Sequence, residues 1–173
     1  GRLTIAAIAE GHRVFIDALL SEDARHVLDR RIRTMTRPAR DLVTFNIGYV
    51  CGDKSFFHPT PDIVRRFGIP KDRLVRSVTS SRRIRGSGLL TSTAGDHAVQ
   101  ELYLPSTSAD RLSEADHAYI RFGEATGVDQ RYKCRVRRPW YVTPGVRVPD
   151  VMVTVFSERP TMLVNDAGLV AAN

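Results

Sequence analysis

The residues best suited to chemistry lie in a basic stretch near the C-terminal end of the chain. Between Arg131 and Pro149 there are six basic residues and no acidic one. Four of the cations occupy every second position: Arg131, Lys133, Arg135 and Arg137. The places between them hold side chains that can pack: Tyr132, Cys134 and Val136. Because side chains on a strand alternate between its two faces, the pattern predicts a strand with one cationic and one packing face.

Two flat side chains follow the cations. Pro139 donates no backbone hydrogen bond and is expected to end the strand after Arg138. Trp140 and Tyr141 come directly after the proline. Cations neutralise phosphates and aromatic rings stack on bases, so the combination indicates a nucleic-acid partner. The same pattern also fits a solvated strand face with Trp140 in the hydrophobic core.

Whole-chain composition agrees with a polyanionic partner. The 173-residue chain has a formal net charge of +7, and 23 of its 26 basic residues are Arg. Arginine matches phosphates and guanine edges with two hydrogen bonds at once, although codon bias in a GC-rich genome produces the same excess. The length suits one domain with its own core. Two ordinary buried thiols, no membrane-length apolar run and no signal-peptide pattern predict a cytoplasmic protein. The thiols are those of Cys51 and Cys134.

The sequence lacks residue patterns arranged for catalysis. The five histidines have no metal-ligand spacing with each other or with the cysteines. A hydrolase Gly-x-Ser-x-Gly turn, a glycine-rich cofactor turn and a Pro-Pro pair are all missing. No acid-x-Lys follows Pro149-Asp150, so Asp150 is interpreted as a polar strand-edge residue rather than part of a nuclease. We therefore predict no catalytic residue, no metal site and no cofactor within this chain.

Local signals predict the elements that must position the basic stretch. Apolar residues within 3–20 predict one or two strands. Helices are predicted to begin after three capping side chains: Ser21, Thr60 and Ser113. Further strands are predicted over four stretches: Leu42–Val50, His97–Leu104, Val151–Phe156 and Thr161–Val164. Turns are predicted at two places: residues 70–76 and 165–168.

Two loops are candidates for contact with a ligand. In the first, residues 48–57, Gly48 and Gly52 would supply backbone freedom. Phe56 and Phe57 are predicted to anchor that loop in the core rather than to stack on a base. The second, residues 77–88, is predicted to be exposed, and a disordered surface loop is its alternative. It holds three closely spaced cations: Arg82, Arg83 and Arg85.

Three motifs, in their order along the chain, resemble a known family. The first is Gly48-Tyr49-Val50-Cys51-Gly52-Asp53-Lys54-Ser55-Phe56-Phe57, in which Cys51 and Lys54-Ser55 depart from the family's Thr and Asn-Asp. The second is Tyr132-Lys133-Cys134-Arg135-Val136-Arg137-Arg138-Pro139-Trp140-Tyr141, followed by Pro144 and Asp150. The third is Asn165-Asp166-Ala167-Gly168. Together they resemble the target-recognition domain of gamma-type, Eco57I/TaqI-like adenine-specific DNA methyltransferases of bacterial restriction–modification systems.

The resemblance implies an α+β fold, a mixed sheet flanked by helices, in a single recognition domain over residues 1–173, of which 1–40 are only weakly placed. It implies sequence-specific recognition of double-stranded DNA for an N6-adenine methyltransferase. The catalytic domain, with its S-adenosylmethionine, would precede this chain, which would then be a fragment of a longer protein. The implied DNA-contacting residues are Lys133, Arg135, Arg137, Arg138, Trp140, Tyr141, Arg82, Arg83 and Arg85. The alternative from another class is a protein-interaction or scaffold module with an incidental basic face.

Overall fold

The computed structural model of the chain describes residues 6, 9, 17, 19–84, 88–154 and 161–173. The chain divides into two compact units, Gly1–Asn46 and Ile47–Asn173. The strands expected within residues 3–20 fall almost wholly outside the described residues.

The described part of the first unit is mainly helical. Ser21 caps helix α1 (Glu22–Val27), because its hydroxyl accepts a hydrogen bond from the backbone N–H of Ala24 at 3.2 Å. This helix start was predicted and is confirmed. The helical path continues through a π-helical turn (Leu28–Ile32) into α2 (Arg33–Met35), and a 3-10 turn (Ala39–Asp41) follows.

The strand predicted over Leu42–Val50 is wrong. Residues 43–48 have no regular structure, and a β-bridge forms only at Tyr49, which pairs with Ala172. The apolar side chains that suggested a strand are exposed: Leu42, Val43, Phe45 and Ile47. A strand needs a partner for its backbone groups, and that partner reaches this stretch at one residue.

The second unit is built on a mixed three-stranded sheet with the order β2–β1–β5. Its central strand, β1 (Leu74–Val78), pairs antiparallel with β2 (Val99–Tyr103) and parallel with β5 (Val170–Ala171). The bridge between Tyr49 and Ala172 continues the pairing on the other side of β5. The α+β class with a mixed sheet was predicted and is confirmed, as is the strand within His97–Leu104.

A second, two-stranded antiparallel sheet pairs β3 (Val151–Val153) with β4 (Met162–Val164). The two strands predicted in this region are therefore confirmed, while residues 155–160 lie outside the described residues. The predicted turn at 165–168 follows β4. The Asn165 side chain holds this turn by donating to the carbonyls of Pro149 at 2.7 Å and Leu169 at 2.8 Å.

The turn predicted at 70–76 is confirmed only at Lys71–Arg73, and the exposed loop predicted at 77–88 is wrong over residues 77–84, while residues 85–87 lie outside the described residues. The expected turn at 70–76 and exposed loop at 77–88 contain a 3-10 turn (Lys71–Arg73), the central strand β1 and a short helix, α5 (Ser81–Ile84). Along β1 the exposure does not alternate, because the last two residues, Ser77 and Val78, are both buried. Both strands that pair with β1 are distant in sequence. The local sequence pattern therefore does not predict this strand.

Two further helices begin at their predicted caps. The Thr60 hydroxyl caps α4 (Pro61–Phe67), which ends at Gly68 with a φ of 64°. A reciprocal capping box between Ser113 and Asp116 starts α6 (Glu114–Ala125). Helix α3 (Lys54–Phe57) is a single turn. No helix among the described residues is long and apolar enough to cross a lipid bilayer.

The second unit contains two hydrophobic clusters. The first, named the aromatic cluster here, consists of Tyr49, Phe56, Phe57, Ile69, Leu102, Tyr103, Tyr119, Val128, Cys134 and Val170. The second, the aliphatic cluster, consists of Val78, Ile84, Ala94, Ala98, Met152, Leu163 and Leu169. Sheet strand β1 contacts both, so the two clusters share one backbone support.

Candidate nucleic-acid interface

The predicted cationic strand is wrong: the basic segment, defined as residues 131–138, contains the short helix α7 (Tyr132–Arg135). Its backbone donors bond locally, since the N–H groups of Cys134 and Arg135 donate to the carbonyl of Arg131 at 2.8 and 2.9 Å. Donors used within a helical turn cannot join a sheet ladder. Of the three expected packing residues, Cys134 alone is buried, and Tyr132 and Val136 are exposed. The Arg138–Pro139 peptide bond that follows is cis.

Three contacts join the basic segment to the glycine loop, defined as residues 48–57. Arg131 Nε lies 2.8 Å from the Asp53 carboxylate. Arg137 Nη2 donates to the carbonyl of Val50 at 2.6 Å. The backbone of Gly52 lies directly against Cys134, where a Cβ would come within 2.1 Å of the cysteine Sγ. The glycine loop therefore fixes the position of the basic segment.

Gly48 and Gly52 were predicted to supply backbone freedom to the loop, and this prediction is wrong. Neither Gly48 nor Gly52 has a positive φ. Both instead allow close approach of another part of the chain. A Cβ on Gly48 would lie 2.4 Å from the carbonyl oxygen of Ala171, so the glycine lets Tyr49 reach β5.

Besides Arg131, which pairs with Asp53, the basic segment has four cations in two pairs. Arg137 and Arg138 donate to main-chain carbonyls: Arg137 to Val50, and Arg138 to the carbonyls of Arg135 at 2.7 Å and Arg137 at 2.8 Å. Lys133 and Arg135 are exposed. The Arg135 guanidinium lies 5.8 Å above the ring of Tyr132, which is 66% exposed. The structure therefore gives Arg137 a supporting role and presents Lys133, Arg135 and Tyr132 to solvent.

Trp140 and Tyr141 pack onto the protein. The Trp140 ring lies 5.2 Å from Phe56, and its Nε1 donates to the Glu124 carboxylate at 3.2 Å. A Cβ on Gly123 would come within 2.6 Å of both rings, which shows how closely they cover α6. Tyr141 is buried. Of the two alternatives for these side chains, the structure has the packed one.

The predicted anchoring role of Phe56 and Phe57 is confirmed. Both rings are buried in the aromatic cluster, where Phe56 stacks on Tyr119 at 4.5 Å with an interplanar angle of 4°. The Tyr119 hydroxyl also donates to the carbonyl of Phe56 at 2.7 Å. The glycine loop is thus held at its C-terminal end by rings and by a hydrogen bond.

The glycine loop also reaches the second candidate segment, around α5. Lys54 Nζ donates to the carbonyl of Thr79 at 3.3 Å, just before the helix. Arg82 is exposed on α5, and Ile84 buries its side chain in the aliphatic cluster. One loop therefore contacts both arginine-bearing segments. Two further candidate groups lie outside the described residues: Arg85 and the side chain of Arg83.

Comparison of the chain with protein families gives one match. A family model described as "Type II methyltransferase M.Eco57I, C-terminal domain" matches residues 12–173. The chain belongs to this family. The match confirms the resemblance drawn from the three motifs and extends it over nearly the whole chain. Comparisons with curated proteins and with solved structures found no match.

Burial disfavours ionisation of both thiols and of one tyrosine in this methyltransferase domain. Burial raises the pKa of both thiols, Cys51 and Cys134, so neither is a reactive thiolate at neutral pH. Burial also raises the pKa of Tyr49 to about 12. No group of three or more potential ligands (His, Cys, Asp or Glu) among the described residues could hold a metal ion.

The sequence analysis missed Asp53, the side chain that joins two parts of the interface. One carboxylate oxygen accepts from the backbone N–H of Phe56 at 2.7 Å and caps α3. The other pairs with Arg131. An Asp placed three residues before a buried Phe is an N-cap signal that could have located α3. The pairing with Arg131 has no local signal, because 78 positions separate the two residues (131 − 53).

Proposed function

We propose that this C-terminal domain recognises double-stranded DNA in a sequence-specific manner for an N6-adenine methyltransferase. One observation carries the proposal. The basic segment is fixed on the glycine loop and the aromatic cluster, and it presents Lys133 and Arg135 to solvent. Phosphate contacts from such cations position a protein on duplex DNA. In the parent protein, a separate catalytic domain would bind S-adenosylmethionine and transfer the methyl group.

The fixed position of the segment favours binding. Ordering a flexible, cation-rich loop on DNA costs conformational entropy for each long side chain and each backbone residue. Here the contacts of Arg131 and Arg137 order the backbone before DNA arrives. We assign direct DNA contact to Lys133 and Arg135, with Arg138 beside them. Arg137 acts through its contact with Val50, and Trp140 and Tyr141 support the segment from below.

Arg82, which is exposed on α5, provides a second candidate DNA contact. Arg82 belongs to a segment that the same glycine loop contacts through Lys54 and Thr79. We assign Arg82, and with it Arg83 and Arg85, to the DNA surface at a second place along the duplex. An arginine among these that reaches a DNA groove would recognise a base, because a guanidinium can hydrogen-bond guanine O6 and N7 together.

The test is a fluorescence titration of duplex DNA with the domain at several salt concentrations. Lys133→Ala and Arg135→Ala should each lower the slope of log affinity against log salt by about one unit if each cation neutralises one phosphate. Arg121→Ala, an exposed arginine on α6, is the matched control. Unchanged affinity and unchanged slope in both basic-segment variants would remove the segment from the DNA surface.

A second measurement uses the full parent methyltransferase, in which recognition and catalysis can be separated. Arg135→Ala should reduce methylation of a DNA substrate while leaving S-adenosylmethionine binding unchanged. If the variant methylates DNA at the normal rate under limiting DNA concentration, the domain does not recognise DNA through this segment. A protein-interaction module would instead show methylation and DNA affinity that are insensitive to these cations.

A further inference from the structure

We propose that an open cleft beside the basic segment binds a phosphodiester unit of the DNA strand. This inference rests on the proposed function and adds a binding site of which the three motifs include only Pro144. The cleft has a volume of about 540 Å³. Its walls are formed by residues 104–107, by residues 142–146 and by two arginines, Arg73 and Arg111.

The charge of the cleft favours an anion. Among the described residues that line it, the two arginines are charged and none is acidic. Arg73 donates through Nε to the buried Asp116 carboxylate at 3.2 Å and through Nη2 to the carbonyl of Arg111 at 2.9 Å. These bonds orient its guanidinium and leave further N–H groups for a ligand. Asp116 and Asp72, the latter 3.7 Å from Arg73 Nη1, both offset the charge of Arg73, so the exposed Arg111 is the cation that remains for an anion.

Three residues that carry hydroxyl groups also line the cleft: Ser106, Thr107 and Thr143. Thr143 is 4% exposed, and its buried Oγ1 has no hydrogen-bond partner among the described residues. Folded proteins rarely leave a buried hydroxyl unpaired. Rotation of the Thr143 side chain toward the cleft would let a phosphate oxygen, a strong acceptor, satisfy this hydroxyl.

The size and the apolar parts of the cleft favour a nucleotide unit over a bare phosphate ion. Leu104, Pro105 and Val146 line it beside the polar groups, and such side chains suit the carbon face of a sugar. The 142–146 wall directly follows the basic segment and Trp140–Tyr141. Arg137 Nη1 reaches the carbonyl of Val142 at 3.5 Å, so the same arginine contacts the glycine loop and this wall.

The direct test is a titration of the domain with the dinucleotide thymidylyl-thymidine, followed by backbone amide shifts in NMR spectra. Shifts should concentrate in residues 104–107 and 142–146. Arg111→Gln should weaken binding roughly tenfold, as expected for a lost charge-assisted hydrogen bond. Thr143→Val should weaken binding without lowering the unfolding midpoint, because the hydroxyl has no partner in the protein. Arg121→Gln is the control that should bind normally.

Several results would overturn the assignment. Amide shifts outside the cleft, normal binding by both Arg111→Gln and Thr143→Val, or equal affinity for inorganic phosphate would each exclude a phosphodiester site. The duplex titration separates this inference from the proposed function. Loss of binding in Arg135→Ala with a normal salt slope in Arg111→Gln would reject the cleft alone. The opposite pattern would retain the cleft and reject the basic segment.

Discussion

The basic segment and α5 both carry arginines, but the protein holds them in different ways. The basic segment lies over the aromatic cluster and is fixed by polar contacts from Arg131 and Arg137 to the glycine loop. Helix α5 is held mainly by Ile84 in the aliphatic cluster. That cluster includes two alanines, which bury little area: Ala94 and Ala98.

This difference shows how one domain can combine a rigid and an adaptable surface. Each aromatic side chain buries roughly 150–250 Å², and its ring contacts add directional packing. Stacking of Phe56 on Tyr119 therefore supports the glycine loop with more buried area than Ile84 supplies to α5. The basic segment should meet DNA in one fixed geometry, whereas α5 should adjust. The predictions below test this comparison, beginning with the largest effect.

Gly52→Val should destabilise the domain most, by roughly 3 kcal/mol, because overpacking forces a buried backbone contact apart. The new Cβ would lie 2.1 Å from the Sγ of Cys134, which is fully buried. Urea denaturation measures the change. Adding Cys134→Ala to Gly52→Val should recover part of the loss by making room.

Lys54→Ala is the control for that variant. It removes a single part-buried hydrogen bond to Thr79, so its cost should stay below about 1 kcal/mol. Equal unfolding midpoints for Gly52→Val and Lys54→Ala would mean that the close approach at Cys134 does not hold the basic segment.

Trp140→Ala and Ile84→Val should separate the two regions. Trp140 is half-buried on Phe56, so its truncation should cost about 2–3 kcal/mol, and Ile84→Val should cost about 1 kcal/mol. Amide hydrogen exchange sharpens the comparison. Exchange should rise in α7 for the tryptophan variant and in α5 for the isoleucine variant. A rise in both helices for either variant would show that the regions unfold as one unit.

Asp116 gives the aromatic region a pH dependence. Burial alone would raise the pKa of its carboxyl, but hydrogen bonds from Ser113 and Tyr103, with the charge of Arg73, hold the pKa below the usual 3.8. A carboxyl with a lowered folded-state pKa stabilises the protein above its unfolded pKa, and this contribution is lost as the pH falls through the folded value. Asp116→Asn should cost about 2 kcal/mol at neutral pH, because it replaces one of two buried acceptor oxygens with a donor NH2 group and removes the charge that pairs with Arg73.

The stability difference between wild type and Asp116→Asn should therefore shrink as the pH falls below about 4. Thermal melts between pH 2 and pH 7 measure it. Asp72→Asn is the matched control, because Asp72 is exposed and lies 3.7 Å from the same arginine. A difference that stays constant down to pH 2 would contradict the assigned cause.

Arg137→Gln and Arg135→Gln should have the smallest effects on stability. Arg137→Gln should destabilise the domain more, and Arg135→Gln should weaken DNA binding more. Loss of the Arg137 bond to Val50 should cost about 1 kcal/mol. Arg135→Gln should change stability by less than about 0.5 kcal/mol, because the side chain is on the surface. DNA titration should rank them the other way, with Arg135→Gln lowering the salt slope. The same order in both measurements would contradict the division between supporting and contacting cations.

Local chemistry allowed several elements to be predicted from the sequence. Ser21, Thr60 and Ser113 each accept from a backbone N–H three residues ahead, and their helices begin where the caps predicted. A cap acts over a single turn, so the necessary information lies within a few residues. The motif order similarly indicated the family before any three-dimensional contact was known.

The tertiary structure decided the conformation of the basic segment and of β1. The alternating cations of the basic segment fit a strand, which would place Tyr132, Cys134 and Val136 on one packed face. In the structure a helical turn buries only Cys134 of these three, and the close contact between Cys134 and Gly52 favours that turn. Strand β1 depends on pairing with β2 and β5, whose residues are far away in sequence. Caps, turns and composition are short-range and were determined by the sequence itself. Strand pairing and the division of the arginines into supporting and exposed groups required the folded chain, because both depend on which distant backbone groups come together.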